Sequence, residues 1–272
     1  MHTPRLPSYF LSHGGGPWPY MEGEFRQHFT QLEASLHAIV RELPAQPQAI
    51  LVISGHWESR EWRVSGSAHP PMLYDFGGFP EHTYHAQYPA PGDPHLAQRI
   101  VTLLTAAGMP ATLDLERGFD HGTYSMLQPM YPQANVPVVQ LSVRQDFDPA
   151  EHIALGRVLA PLRDEGVLII GSGLSYHNLR AFGVAGQQAS QAFDGWLQQT
   201  LLNPDPGQRQ QALIDWQHAP SARAAHPRED HLLPLMVEVG AAWEEVAACV
   251  FHQADFMGGV TVSSFRFGAV AG

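Results

Sequence analysis

Three histidines stand where an imidazole could do chemistry. His13 follows an apolar run in "YFLSHGGGP", His56 follows another in "AILVISGHWES", and His177 closes "VLIIGSGLSYHNLR". Glycines flank each of them: Gly14 to Gly16, Gly55, and Gly171 with Gly173. In open α/β sheets ligands bind just beyond the carboxyl ends of the strands, and glycine lets backbone approach a ligand closely. Three segments therefore aim an imidazole at one region. Imidazole is a common metal ligand, and its pKa near neutrality suits proton transfer. Two further histidines sit differently: His231 on a predicted helix in "HPREDHLLPLM", and His121 at a loop-to-helix junction in "RGFDHGTYS". His28, His37, His95, His152, His226 and His252 read as surface or hydrogen-bonded core residues.

The composition narrows the chemistry. The chain has 16 histidines, one cysteine (Cys249) and no lysine, so all 15 basic residues are arginine. An internal disulfide and a multi-thiolate zinc or iron–sulfur site are excluded. So are Schiff-base chemistry and a phosphate-loop lysine. The formal net charge of −11 repels phosphate backbones and argues against nucleic acid as a partner. No apolar stretch approaches the roughly 20 residues of a membrane span. "MHTPRLPSYFLSH" lacks the apolar core of a secretion signal, so a cytoplasmic protein is expected. There is no H-E-x-x-H motif, and "GSGLS" lacks the second glycine of a nucleophile elbow. Glu58, Asp75, Glu81, Asp120 and Glu229 could act as acids or bases, though each reads first as a solvated carboxylate.

The elements that must position these residues follow from periodicity. Strands are predicted at Tyr9 to Ser12, Ala49 to Ser54, Trp62 to Ser67, Val136 to Val143, Val167 to Ile170 and Val260 to Phe267. Helices are predicted over 24–43, Leu96 to Ala107, Pro149 to Asp164, Ala189 to Leu202, Gly207 to Trp216 and Glu229 to Ala242. Residues 69–94 form a long loop rich in proline, glycine and aromatics, of the kind that usually carries function. The order reads as α/β, one domain over 1–272, with a mixed central sheet flanked by helices on both faces.

The blocks "SHGGGP", "SGHWES", "YDFGGFPEHTYHAQYPAPGDP", "GFDHGTYSML", "VPVVQLSV", "SYHNLR" and "EDHLLPLM" occur in an order that resembles the extradiol ring-opening dioxygenases of the 4,5-DOPA dioxygenase type, within the LigB-like class III enzymes. The resemblance covers roughly residues 8–267. It implies a LigB-like fold and a mononuclear non-haem metal site with His13, His56 and His231 as ligands, and His177 as a fourth ligand or an acid/base. It also places His121 in the pocket as a second acid/base candidate. Fe(II) is the implied catalytic ion, with Zn(II) as an occupant of the same site, since imidazole suits both. The usual facial site is two histidines and a carboxylate. Here the third position resembles His231, beside Asp230 and Glu229. A second departure is Gly14-Gly15-Gly16-Pro17, where better-known members carry Gly-Ser-Pro.

The implied reaction is cleavage of a catechol ring outside its two hydroxyls, with both atoms of O2 incorporated. Tyr74, Phe76, Phe79 and Tyr84 are candidates for an aromatic wall or lid, or simply pack the loop down. Asn178 and Arg180 could bind a carboxylated catechol such as DOPA or protocatechuate, or Arg180 could form a surface ion pair. Two rival readings use the same imidazoles: a zinc-dependent hydrolase and a non-catalytic metal-binding protein on the same fold. The expected partners are a small aromatic diol and O2, without nucleic acid or membrane, acting on a monomer or small homo-oligomer.

Overall fold

The computed structural model describes residues 4–270. Among these, one mixed eight-stranded sheet is built from β1 (Ser8–Ser12), β2 (Ala49–Ser59), β3 (Trp62–Ser65), β4 (Ala111–Asp114), β5 (Val138–Arg144), β6 (Val167–Gly173), β7 (Ala247–Phe256) and β8 (Val260–Phe267). Their spatial order is β4-β3-β5-β2-β6-β1-β8-β7. The central strands β5, β2, β6 and β1 are parallel neighbours. The β8–β7 hairpin is added antiparallel at β1. Covered on both faces, such strands need continuous rather than alternating apolar residues. Ile50 to Ile53 and Leu168 to Ile170 supply them and are fully buried.

The helices are α1 (Gly23–Gln27), α2 (Thr30–Glu42), α3 (Pro94–Ala106), α4 (His121–Met130), α5 (Pro149–Leu159), α6 (Gln187–Leu201), α7 (Pro206–Ile214), α8 (Ala222–Ala225) and α9 (Leu233–Ala241). Three of them start at an Asp-Pro dipeptide. Asp93, Asp148 and Asp205 each accept two backbone N–H bonds of the first turn, and the proline occupies a position whose N–H would be orphaned anyway. Consecutive residues of β6 locate the layers. Gly171 faces Pro234 and Glu238 of α9, while the Ser172 hydroxyl donates to the Gly122 carbonyl of α4. Neighbours in a strand point to opposite faces, so α9 and α4 lie on opposite sides of the sheet.

Several expectations need correction. The helix over 24–43 is two, α1 and α2, separated at His28 and Phe29. β2 does not stop at Ser54. Its register steps from Ser54 opposite Ser142 to Glu58 opposite Val143, so Gly55, His56 and Trp57 bulge out between consecutive partner residues. His231 lies not on a helix but in the turn before α9. β4 and β7 were not anticipated. β4 is four partly exposed residues, and two register shifts break the alternation of β7. The long loop is ordered: Met72 bridges to Phe119, and a 3-10 turn spans Glu81–His85. No helix among the described residues is long and apolar enough to cross a membrane.

Candidate metal centre

The strand ends converge. His13 leaves β1, His56 sits in the β2 bulge, His121 opens α4, His177 follows β6, and His231 precedes α9. Two glycines permit the fifth to join. A Cβ on Gly173 would collide with the His231 carbonyl oxygen, and one on Gly55 would lie 2.9 Å from the Asp230 carbonyl. The 230–231 turn therefore rests on the ends of β2 and β6 because both strands present bare backbone there.

The five rings form one cluster. Ring centroids are 4.9 Å apart for His13 and His56, 5.2 Å for His13 and His231, and 5.5 Å for His13 and His121. His56 lies 4.0 Å from His121 and 4.6 Å from His231. His177 stacks on His231 at 3.4 Å and 15°. One nitrogen from each of His13, His56 and His121 lies within 4.8 Å of the others, and His177, Asp230 and His231 form a second such group. The two groups touch, because His56 Nε2 and His231 Nε2 stand 3.1 Å apart.

The electrostatics suit a cation. Burial, then the neighbouring imidazoles, push the pKa values of His13 and His231 well below the usual range. Burial, with His121 next to it, takes His56 down to about 3. His177 is lowered by burial, against an opposing pull from Asp230. These imidazoles are neutral at pH 7, the state a metal requires. Both ring nitrogens of His13, and Nδ1 of His231, are buried without a hydrogen-bond partner among the described residues. Orphaned buried nitrogens are costly, and a metal ion held among them would satisfy them. The residues fit a metal.

A layer of acids and amides holds the rings. Asp75 Oδ1 accepts from His121 N and Nδ1, both at 2.9 Å, and its Oδ2 lies 3.3 Å from His56 Nδ1. Burial would raise the Asp75 carboxyl, but these histidines outweigh it and bring it to about 2. Asp120 is fully buried and accepts from Ser54 Oγ, Thr123 N, Arg117 and Gln140. Arg117 also donates to the His56 carbonyl at 3.3 Å and lies over the Trp57 ring. Glu58 pairs with Arg228 at 2.5 Å, tying β2 to the segment that leads to His231. Gly-His-Trp-Glu at the end of a buried strand is thus a bulge, a ring facing the cluster, a seat for Arg117 and a tether.

A cavity of about 680 Å³ opens over the cluster, and all five histidines line it. Of the other nominated residues, Phe76 and Phe79 line it and Tyr74, Tyr84, Asn178 and Arg180 do not. The Tyr74 hydroxyl donates to the Ala86 carbonyl and so pins the loop. Asn178 is spent on the backbone, capping the next turn through Arg180 N and donating to the Ala224 carbonyl. Arg180 projects from an exposed position outside the cavity. Sequence reasoning gave Asp75 no specific role, because its partners come from α4 and β2. It missed Met257, which reaches the cavity from the tip of the β7–β8 hairpin with φ of 45°. The "GG" after Met257 was the available signal.

Comparison with known proteins gives the family. Residues 7–265 match the family described as the catalytic LigB subunit of aromatic ring-opening dioxygenase. The 4,5-DOPA dioxygenase extradiol of Escherichia coli K12 is 39% identical over 249 residues, covering 90% of this chain and 88% of that protein. The Beta vulgaris protein of the same name is 39% identical over 266 residues, covering 96% of each. The crystal structure of an uncharacterized Escherichia coli K12 protein superposes with a TM-score of 0.79 at 34% identity, over 97% of this chain and 100% of that one.

Proposed function

Because this chain belongs to the LigB family of aromatic ring-opening dioxygenases and is an oxidoreductase of the extradiol class, we propose that it opens a catechol ring at one Fe(II) held by His13, His56 and His231, the whole chain acting as one catalytic domain. The observation that carries this reading is the set of neutral, buried and partnerless imidazole nitrogens at the floor of the cavity. Ferrous iron would supply the dioxygen chemistry that side chains lack, and three protein ligands on one face leave positions for a diol and O2.

The remaining work belongs to the protein. His177 is our first choice to take the diol proton. It is only half-buried, lines the cavity and lies over His231, and its lowered pKa leaves it free to accept. His121 is the second choice. Its Nδ1–H donates to Asp75, which fixes the tautomer and leaves Nε2 as the free nitrogen. Protonated by the substrate, either ring can return the proton as the ring opens. Asp75 and Asp230 hold the rings in place, and the cavity's aromatic wall keeps water away from the reacting diol.

The test is oxygen uptake by metal-free protein reloaded anaerobically with Fe(II), against a panel of catechols, with Zn(II) samples in parallel. One O2 consumed per catechol with a yellow product, in the iron samples alone, is the expected result. No oxygen uptake with any catechol, despite bound iron, would overturn the reading.

A further inference from the structure

Apart from the five histidines and two aspartates, the cavity is lined by apolar side chains and glycines. One wall is Phe25, Phe76 and Phe79, packed edge to face with centroids 5.4 and 5.7 Å apart. Leu174, Phe182 and Met257 line the cavity as well. Leu179, 73% exposed, carries the apolar lining out onto the rim.

No arginine among the described residues lines the cavity, and the chain has no lysine. Of the arginines on adjoining segments, Arg117 is paired with Asp120 at 2.7 Å, Arg228 with Glu58 and Arg223 with Glu229 at 2.6 Å, while Arg180, exposed between Leu179 and Phe182, lies outside the lining. Among the described residues the only carboxylates in the lining, Asp75 and Asp230, are tied to histidines. A charged substituent on the catechol would exchange water for rings and methyl groups without a counter-ion, which is unfavourable. An uncharged apolar substituent gains from the same exchange.

We propose that the substrate is a catechol bearing an uncharged apolar substituent, alkyl or aryl, which lies against these apolar side chains. The inference rests on the ring-opening reading above and names its substrate class. It departs from DOPA, the amino acid in the relatives' names, whose side chain carries both an ammonium and a carboxylate.

The experiment compares 4-propylcatechol, 3-(3,4-dihydroxyphenyl)propionate and 4-(2-aminoethyl)catechol, which share a diol and differ in the charge of the tail. Dissociation constants are measured anaerobically by calorimetry on the Fe(II)-loaded protein, and kcat/KM by oxygen uptake. The propyl compound is expected to bind at least about tenfold more tightly than either charged one, with the same ranking in kcat/KM. Met257→Arg should bring the propionate to within a few-fold of the propyl compound, and Arg180→Gln should leave the wild-type ranking unchanged. Equal or tighter binding of either charged catechol overturns the proposal. So does a tenfold loss of propionate binding in Arg180→Gln, which would make that arginine a carboxylate clamp. If the binding order holds but no catechol consumes oxygen, the apolar specificity stands and the ring-opening reading fails.

Discussion

At the scale of residues, the site is a group of imidazoles kept neutral by burial and held in place by acids outside the cluster. Asp75 serves two rings at once. Asp75→Asn keeps the shape and loses the charge, so turnover or metal affinity should fall about 10- to 100-fold, checked by steady-state kinetics beside metal analysis. His177→Phe should leave metal content intact and lower kcat about 10²- to 10⁴-fold. An unchanged kcat would remove His177 from proton transfer. A buried histidine outside the site gives a pH prediction. His152 is brought down to about 4 by burial, accepts from Arg144 N and donates to the Asp148 carbonyl. Its unfolded value is near 6.5, so below that pH the unfolded chain gains a proton that the folded chain refuses until about 4. The stability it contributes is complete above about pH 6.5 and is lost as pH falls toward 4, by roughly 2 kcal/mol between pH 7 and 5. Urea titrations should show at least that slope, since other buried histidines add to it, and His152→Gln should reduce it by that amount.

At the scale of elements, three strand ends, one helix start and one turn build one platform, and their legibility in the sequence differed. The runs before His13, His56 and His177 were readable because buried parallel strands are continuously apolar. The bulge was not, since it depends on the register of β2 against β5. His231 was misplaced because "HLLPLMVEV" continues a helical pattern. Pro234 held the correction, since proline belongs in a helix's first turn and puts His231 ahead of it. The partners of Asp75 come from distant segments, and no local pattern encodes them; the Gly-Gly after Met257 marks the hairpin tip but not its place at the cavity. Close backbone approach makes Gly173 the sharpest element-scale test. Gly173→Ala must push the 230–231 turn off β6. Metal binding should weaken by more than tenfold while circular dichroism keeps its native form. Wild-type affinity in that variant would show that the turn's position does not matter.

At the scale of the whole molecule, the sheet accommodates a cluster that destabilises the metal-free protein. Neutral nitrogens buried without partners cost free energy that a bound ion would offset. Metal present at about 1,000 times its dissociation constant stabilises the folded chain by about 4 kcal/mol. For a chain of this size that corresponds to a melting temperature higher by on the order of 10 °C. Scanning calorimetry with and without chelator should show it. An unchanged melting temperature would mean that metal does not bind the folded state at this site.

The most direct measurement is a crystal structure of the Fe(II)-loaded protein, grown anaerobically, with anomalous data on both sides of the iron edge. One strong peak per chain bonded to nitrogens of His13, His56 and His231, with His177 and His121 facing it from the cavity side, is the predicted result. A peak elsewhere on the molecule, or iron held through carboxylates while the five imidazoles stay unbound, would contradict it.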